Sequence, residues 1–199
     1  MPIEIESPEQ MGYDTIKCNL TESSVRDFHF SDLNININDL MICYGDHVGN
    51  PALRNLIAKE KEGIEKEDIL LTIGAAGALF ILQTAILSSS DHIIVMRPNY
   101  GTNIETPKAI GCEITFIDLC FERGFKPNFD EIKAKIKPNT KLISITTPHN
   151  PTGVSLSIEE LQFFIQLAEQ HQIHLLVDET YSEIPIGKTP LPVAASLSK

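Results

Sequence analysis

Residues 141–153 have the sequence KLISITTPHNPTG, in which an apolar run leads directly into a turn. The run from Lys141 to Thr146 is rich in leucine and isoleucine. Such runs are typical of strands in a sheet that is covered on both faces. The residues Pro151-Thr152-Gly153 that follow favour a turn. The stretch therefore predicts a buried strand with polar residues at its carboxyl end.

Similar apolar runs occur from about Glu67 onward, and they alternate with segments of helical period. We predict strands at 69–73, 92–96, 113–119, 141–146 and 173–177. We predict helices at 51–61, 77–87, 129–136 and 157–170, and a further helix after Tyr100 that Pro107 would break or restart. This alternation is typical of parallel strands joined by crossover helices. The predicted fold is therefore α/β, a mostly parallel sheet with helices on both faces.

Residues 1–48 differ from the rest of the chain because they are polar and have no strong period, with Asn34, Asn36 and Asn38 alternating with apolar residues. We expect an arm and a short element there, with a boundary near residue 48. The carboxyl-terminal sequence IPIGKTPLPVAASLSK is rich in turn residues. We therefore expect a chain that is cut before a closing element.

The composition excludes several classes of protein. With 16 Lys and Arg against 27 Asp and Glu, the net charge of −11 disfavours nucleic-acid binding. Hydrophobic residues make up 42% of the chain and charged residues 22%, which excludes disorder. The cysteines, Cys18, Cys43, Cys112 and Cys120, lack a metal-binding spacing, so we expect reduced thiols and no metal. The amino terminus has no signal-peptide pattern and no apolar run spans a bilayer, so we expect a soluble cytoplasmic protein without a membrane partner.

Two motifs contain groups that could bind a ligand at the end of a predicted strand. In GAAGAL, residues 74–79, small side chains let an anion approach the free N–H groups at a helix start, although tight packing of a strand on a helix also selects such residues. In HNPTG, residues 149–153, Asn150 offers a donor and an acceptor at the end of a buried strand, where ligands bind in open parallel sheets. A simple Asn-Pro turn without a ligand is the alternative.

Two further motifs follow predicted strands. In DETY, residues 178–181, a strand-end carboxylate on Asp178 requires a cationic partner such as a protonated ring nitrogen, and Tyr181 adds a phenol. A surface aspartate that caps the next segment is the alternative. In RPNY, residues 97–100, Tyr100 either stacks on a planar ligand or packs as an ordinary tyrosine. Because each motif is predicted to follow a strand of one parallel sheet, we expect all of them at one edge.

In this order, the motifs GAAGAL, RPNY, HNPTG and DETY resemble the amino-terminal half of pyridoxal-phosphate-dependent aminotransferases of fold type I, class I/II. The resemblance extends from about Asn19 to Ser198. It implies that residues 49–199 are a pyridoxal-phosphate-binding large domain, incomplete at its carboxyl end, and that residues 1–48 are an amino-terminal arm and part of a small domain. It also implies pyridoxal 5′-phosphate as cofactor, and an amino acid and a 2-oxo acid as substrates.

The resemblance assigns roles to individual residues. Ala75 and Ala76 match the phosphate loop, although many relatives have a hydroxyl residue there and these alanines offer only backbone N–H groups. Tyr100 matches the aromatic residue that stacks on the ring. Asn150 matches a partner of the cofactor's 3′-oxygen, and Asp178 matches the partner of the pyridine nitrogen, whose protonation strengthens the ring as an electron acceptor.

Tyr181 matches a second partner of the cofactor's 3′-oxygen. Tyr44 matches the tyrosine that reaches the cofactor phosphate of a neighbouring subunit. Tyr44 therefore implies a homodimer. The spacing in the family puts the Schiff-base lysine about 30 residues beyond the Tyr181 position and therefore beyond Lys199, and Ser196-Leu197-Ser198-Lys199 matches its segment only superficially. The catalytic residue is thus unknown, and we expect the 199-residue chain to be inactive alone.

Other functions are compatible with parts of the pattern. A C–S lyase, decarboxylase or synthase of the same fold could keep the residues that hold the ring. A Rossmann-type NAD(P)-binding protein would use the GAAGA turn, and Arg97 for a 2′-phosphate, but the chain lacks the full G-x-G-x-x-G pattern. A non-catalytic interaction module would expose apolar surface and associate heterogeneously.

Overall fold

The computed structural model describes residues 10, 12, 15–18, 23–25, 28–33, 35–184 and 191–198. The chain divides into two compact units, Met1–Tyr44 and Gly45–Lys199. In the described part of the first unit, short 3-10 helices span Phe30–Leu33 and Ile37–Asp39. Asn34 and Lys199 lie outside the described residues. The roles of the two units stay predictions.

The second unit contains a four-stranded parallel sheet. Its strands are β1 (His92–Arg97), β2 (Glu113–Asp118), β3 (Thr140–Thr146) and β4 (His174–Asp178), in the order β2-β1-β3-β4. These strands confirm four of the predicted runs, and the fold class is confirmed with them. Because all strands are parallel, the residues that follow Arg97, Thr146 and Asp178 lie at one edge of the sheet.

Six helices surround or precede this sheet in the described residues. They are α1 (Pro51–Lys59), α2 (Gly74–Ile86), α3 (Gly101–Ile110), α4 (Phe129–Lys135), α5 (Ile158–His171) and α6 (Ala194–Leu197). Ser157 and Glu160 form the capping box at the start of α5. The helix predicted after Tyr100 is confirmed, and it continues through Pro107 to Ile110. None of the helices in the described ranges has the length and apolar character that crossing a bilayer requires.

The apolar core lies on both faces of the sheet, because successive side chains of a strand point to opposite faces. On β1, Ile94 and Met96 belong to the cluster that includes Phe164 of α5. The intervening residues Ile93 and Val95 belong to the cluster that includes residues of α2. Both faces are therefore covered by helices, as the near-continuous apolar runs predict.

The predicted strand at 69–73 is wrong. This segment is not paired as a strand with any described residue, the backbone bends at Ile73, and Ile73 is almost fully exposed. Its Leu71 N–H donates to the carbonyl of Val48 at 3.1 Å, where Gly49 has φ of +103° and its Cα faces the Leu71 side chain. An apolar run alone does not distinguish a sheet strand from an extended connection that packs on one side. The motif at 74–79 therefore follows no strand of the sheet.

Candidate active site

A buried polar network joins the elements at the carboxyl edge of the sheet. Its centre is Asn103 in the first turn of α3, whose side chain is fully buried. The Asn103 Nδ2 donates to Asp178 Oδ2 at 3.3 Å and to Asn99 Oδ1 at 3.1 Å, while its Oδ1 accepts from Ser144 Oγ at 3.1 Å. We call these residues, Asn99, Asn103, Ser144 and Asp178, the Asn103 network. Every polar atom of the Asn103 amide is used, so the network holds one geometry.

The carboxylate of Asp178, the last residue of β4, is half-buried and bound on both oxygens. Besides Asn103, it accepts from the Thr180 N–H at 3.2 Å and from the Thr180 hydroxyl at 2.6 Å, both at Oδ1. Its backbone carbonyl accepts from the Thr147 N–H at 2.9 Å. Donors on both oxygens compensate the loss of solvation and fix the direction of the carboxylate.

Tyr100 caps the amino end of α3 and is held through its backbone. The Tyr100 N–H donates to Asn99 Oδ1 at 2.8 Å, and the same oxygen accepts from Thr146 Oγ1 at 3.1 Å. The Asn99 Nδ2 donates to the Met96 carbonyl at 3.2 Å. Because 40% of Tyr100 remains exposed, its ring offers an aromatic face at the sheet edge.

Asn150 lies in a tight turn after β3. The turn is closed by the Gly153 N–H, which donates to the His149 carbonyl at 2.7 Å, and Gly153 has φ of +72°. The half-buried Asn150 side chain makes no hydrogen bond with any residue in the described ranges. Its amide therefore keeps a donor and an acceptor for a ligand.

The start of α2 presents the small residues of the first motif. The helix begins at Gly74, three residues earlier than predicted, so Ala75 and Ala76 lie within its first turn and are exposed. No side chain of the helix cap, Ile73, covers the first N–H groups, which have no acceptor within a helix. The bonds of the Asn103 network do not extend to this turn within the described residues.

Two predicted residues remain, Tyr181 and Tyr44. Tyr181 is half-buried in the turn after β4. Tyr44 is fully exposed and belongs to the other compact unit. The described cysteines are free, and no group of metal-binding side chains occurs in the part of the chain that the structure describes.

Burial shifts the pKa of two groups beside the site. Burial lowers the pKa of His149, which therefore favours the neutral imidazole. Burial raises the pKa of Glu179, whose carboxylate accepts from the Ala194 N–H at 3.0 Å. Glu179 follows Asp178 directly but binds the start of α6, so the two adjacent carboxylates serve different contacts.

Arg97 is not available as a 2′-phosphate ligand. Its Nε and Nη2 donate to the carboxylate of Asp118 at 2.6 and 2.9 Å, and its guanidinium lies 4.7 Å from the centre of the Phe116 ring. A bidentate ion pair that also stacks on an aromatic ring uses both recognition modes of arginine. This geometry disfavours the NAD(P)-binding alternative.

The comparison with known proteins identifies the family of the chain. The profile of the family described as aminotransferase class I and II matches residues 31–199. The chain belongs to this family. Its fold also matches solved structures: a PLP-dependent aminotransferase from Streptococcus suis, with a TM-score of 0.75 and 27% identity, and an alanine aminotransferase from Pyrococcus furiosus, with a TM-score of 0.72 and 30% identity. The first match covers 81% of this chain and 42% of the Streptococcus suis structure. The second covers 79% of this chain and 41% of the Pyrococcus furiosus structure.

Curated relatives match a similar part of the chain at a similar level of identity. The chain is 30% identical over 146 residues to arginine–pyruvate transaminase of Pseudomonas aeruginosa, covering 71% of this chain and 37% of the relative. It is 32% identical over 146 residues to a probable aspartate/prephenate aminotransferase of Thermus aquaticus, covering 71% of this chain and 38% of the relative. The chain thus spans about two-fifths of the length of these relatives. Class I and II aminotransferases use pyridoxal phosphate, and the resemblance based on the four motifs is confirmed at the level of the family.

The residues present fit that cofactor. A carboxylate with a fixed direction suits a protonated ring nitrogen, an exposed aromatic face suits a planar ring, and an unpaired amide suits a ring oxygen. The uncapped first turn of α2 suits a phosphate. Sequence reasoning missed the residues that fix this donor set: Asn103, Asn99, Ser144, Thr146 and Thr180. Only the asparagine pair at positions 99 and 103, one helical turn apart, gave a local signal.

Proposed function

We propose that the protein works as a pyridoxal-phosphate-dependent aminotransferase that moves an amino group between an amino acid and a 2-oxo acid. The observation that carries the proposal is the Asp178 carboxylate, held at the carboxyl edge of the sheet by Asn103 and Thr180. Membership of the aminotransferase family supports it. Because the chain spans about two-fifths of its relatives, the activity of the whole protein belongs to this proposal.

The proposal gives each residue of the site a task. Asp178 would accept a hydrogen bond from the cofactor's ring nitrogen and keep a proton on that atom. Asn150 and Tyr181 would bind the 3′-oxygen, and Tyr100 would lie against the ring. When bound, the cofactor would supply a protonated pyridine ring that accepts electron density from the α-carbon of a substrate. Asn103 and Thr180 hold the Asp178 carboxylate in one direction.

The phosphate of the cofactor would bind at the start of α2. Ala75 and Ala76 contribute backbone N–H groups there, where the helix dipole favours an anion. Because neither residue has a hydroxyl group, the affinity for phosphate depends on the backbone alone.

We also propose a homodimer, in which Tyr44 of one subunit contacts the cofactor phosphate of the other. The exposed apolar side chains on α2, Phe80 and Ile81, support association because such surface is costly to leave in water. We place the protein in the cytoplasm, where its free cysteines stay reduced.

The test is binding of pyridoxal 5′-phosphate and pyridoxamine 5′-phosphate to the 199-residue chain, measured by calorimetry. We expect wild-type binding, and at least tenfold weaker binding after Asp178→Asn. The matched control is Asp118→Asn, because Asp118 ends β2 of the same sheet but pairs with Arg97. Equal affinities of the two variants would contradict the role of Asp178, and no wild-type binding would contradict a cofactor site formed by this chain.

The reaction type is tested separately on the complete gene product. A scan of amino acids with a 2-oxo acid acceptor should show amino transfer. Elimination or decarboxylation without transfer would instead assign the protein to another reaction of the same cofactor.

A further inference from the structure

His149 is a buried ionisable residue to which the proposed mechanism gives no task. It follows β3 by three residues, and only 5% of it is exposed. Its Nε2 lies 2.9 Å from the carbonyl oxygen of Pro98, and its Nδ1 lies 2.8 Å from Thr152 Oγ1. Both ring nitrogens are therefore engaged, each with a different loop.

The partners determine which nitrogen carries the proton. A carbonyl oxygen only accepts hydrogen bonds, so the His149 Nε2 must carry a hydrogen and donate to Pro98. In the neutral ring Nδ1 is then an acceptor, and the Thr152 hydroxyl donates to it. The Val154 N–H points at the same hydroxyl oxygen, at 3.4 Å, which leaves the Thr152 hydrogen for His149. Burial keeps the pKa of His149 low, in agreement with a neutral ring.

The two loops contain Tyr100 and Asn150, to which the proposed function gives contacts with the cofactor. Pro98 lies two residues before Tyr100, and Thr152 lies two residues after Asn150. One imidazole thus spans from the loop after β1 to the turn after β3. The turn is also tied to its own backbone, since the His149 N–H donates to the Val154 carbonyl at 2.9 Å.

We propose that His149 is a positioning residue that sets the distance between the Tyr100 ring and the Asn150 amide through its bonds to Pro98 and Thr152. The role of these side chains as cofactor ligands rests on the proposed function. The link between the loops does not, because it depends only on contacts within the chain. A rigid link matters here because a ring that stacks on Tyr100 and is bound by Asn150 tolerates little change in their separation.

The test separates the two bonds with matched variants. His149→Gln can keep the donor to Pro98, because the glutamine Nε2 reaches as far as the imidazole Nε2. His149→Asn can keep only the contact with Thr152, and His149→Phe removes both bonds while keeping a ring. Thr152→Val removes the hydroxyl with little change of shape, whereas Thr152→Ser keeps the hydroxyl and removes only the methyl group.

The first readout is nitrogen NMR of the imidazoles in the 199-residue chain without cofactor. We expect the neutral Nε2–H tautomer for His149 in the wild type and in Thr152→Ser, and an altered Nδ1 resonance in Thr152→Val. The Asn150 side-chain amide and the Tyr100 ring resonances should shift together in His149→Phe and stay near wild type in His149→Gln. An Nδ1–H tautomer in the wild type, or unshifted Tyr100 and Asn150 signals in His149→Phe, would overturn the inference.

The second readout is calorimetric binding of pyridoxamine 5′-phosphate. We expect His149→Phe to bind at least tenfold more weakly and His149→Gln within threefold of wild type, about half a decade. Urea unfolding of each variant checks that the fold is retained. If the wild type does not bind, the proposed cofactor site of this chain fails, and the NMR readout alone decides the role of His149. Wild-type affinity in folded His149→Phe contradicts the inference while leaving the proposed function intact.

Discussion

Gln83 on α2 is expected to lower the stability of the protein. Its side chain is fully buried, and neither its Nε2 nor its Oε1 has a hydrogen-bond partner among the described residues. It lies one helical turn from Leu79 and from Leu87, which pack in the apolar cluster beneath the sheet. An unsatisfied buried polar atom costs about 1–3 kcal/mol. Gln83→Met keeps an unbranched side chain with a similar helix propensity and removes both atoms.

Taking about 1 kcal/mol for each of the two atoms, Gln83→Met should raise the free energy of unfolding by about 2 kcal/mol. For a chain of this length that corresponds to a rise in Tm of about 4–8 °C. Urea unfolding followed by circular dichroism measures the change, with an unchanged slope against denaturant as the check for the same transition.

The matched control is Gln166→Met on the exposed side of α5, which should change the free energy of unfolding by less than about 0.5 kcal/mol. A loss of stability in Gln83→Met would refute the reasoning, because it would mean that the amide is satisfied, for instance by buried water.

Three further changes test other parts of the structure. His92 lies between two threonine hydroxyls, and burial lowers its pKa below the unfolded value of about 6.5. The contribution of the neutral imidazole to stability is therefore fully present above that pH. It is lost as the pH drops below that value, by at most about 1.4 kcal/mol per pH unit. Urea midpoints at neutral and acidic pH, with exposed His171→Gln as control and a smaller pH dependence expected for His92→Gln, measure this effect. Gly49→Ala should lower the free energy of unfolding by more than about 2 kcal/mol, since φ is +103° and the new Cβ would lie 2.5 Å from Leu71 Cβ; thermal unfolding with no loss would contradict it. Asn103→Leu should weaken binding of pyridoxamine 5′-phosphate about tenfold, about 1.4 kcal/mol, because Asp178 loses a donor; calorimetry showing wild-type affinity would argue against the network.

Local pattern predicted the sheet because its strands are buried on both faces. In β1 and in β3 all residues but one are buried, and the leucine, isoleucine, valine and methionine residues at their centres made both runs recognisable as strands. The same reasoning failed at 69–73, where Leu70 and Ile73 are exposed. An apolar run carries no information about whether a neighbouring strand is present to accept its hydrogen bonds.

Strand direction predicted that the motifs lie at one edge of the sheet. Tyr100, Asn150 and Asp178 were predicted as site residues because each follows an apolar run within a motif, and the structure places all three at that edge. Asn103 and Ser144 could not be found in the same way, since the bonds that matter join residues 41 and 75 positions apart. Such contacts depend on the register of β3 and β4 and on the rotation of α3, which a linear pattern does not encode.

The Asn103 amide also limits how this sequence can change over evolution. A side chain at position 103 must donate two hydrogen bonds, to Asn99 and Asp178, and accept one from Ser144. No aliphatic, hydroxyl or acidic residue of similar size does both. A viable replacement of Asn103 would therefore need simultaneous changes at its neighbours. We expect the residues of the Asn103 network to be substituted together and not one at a time.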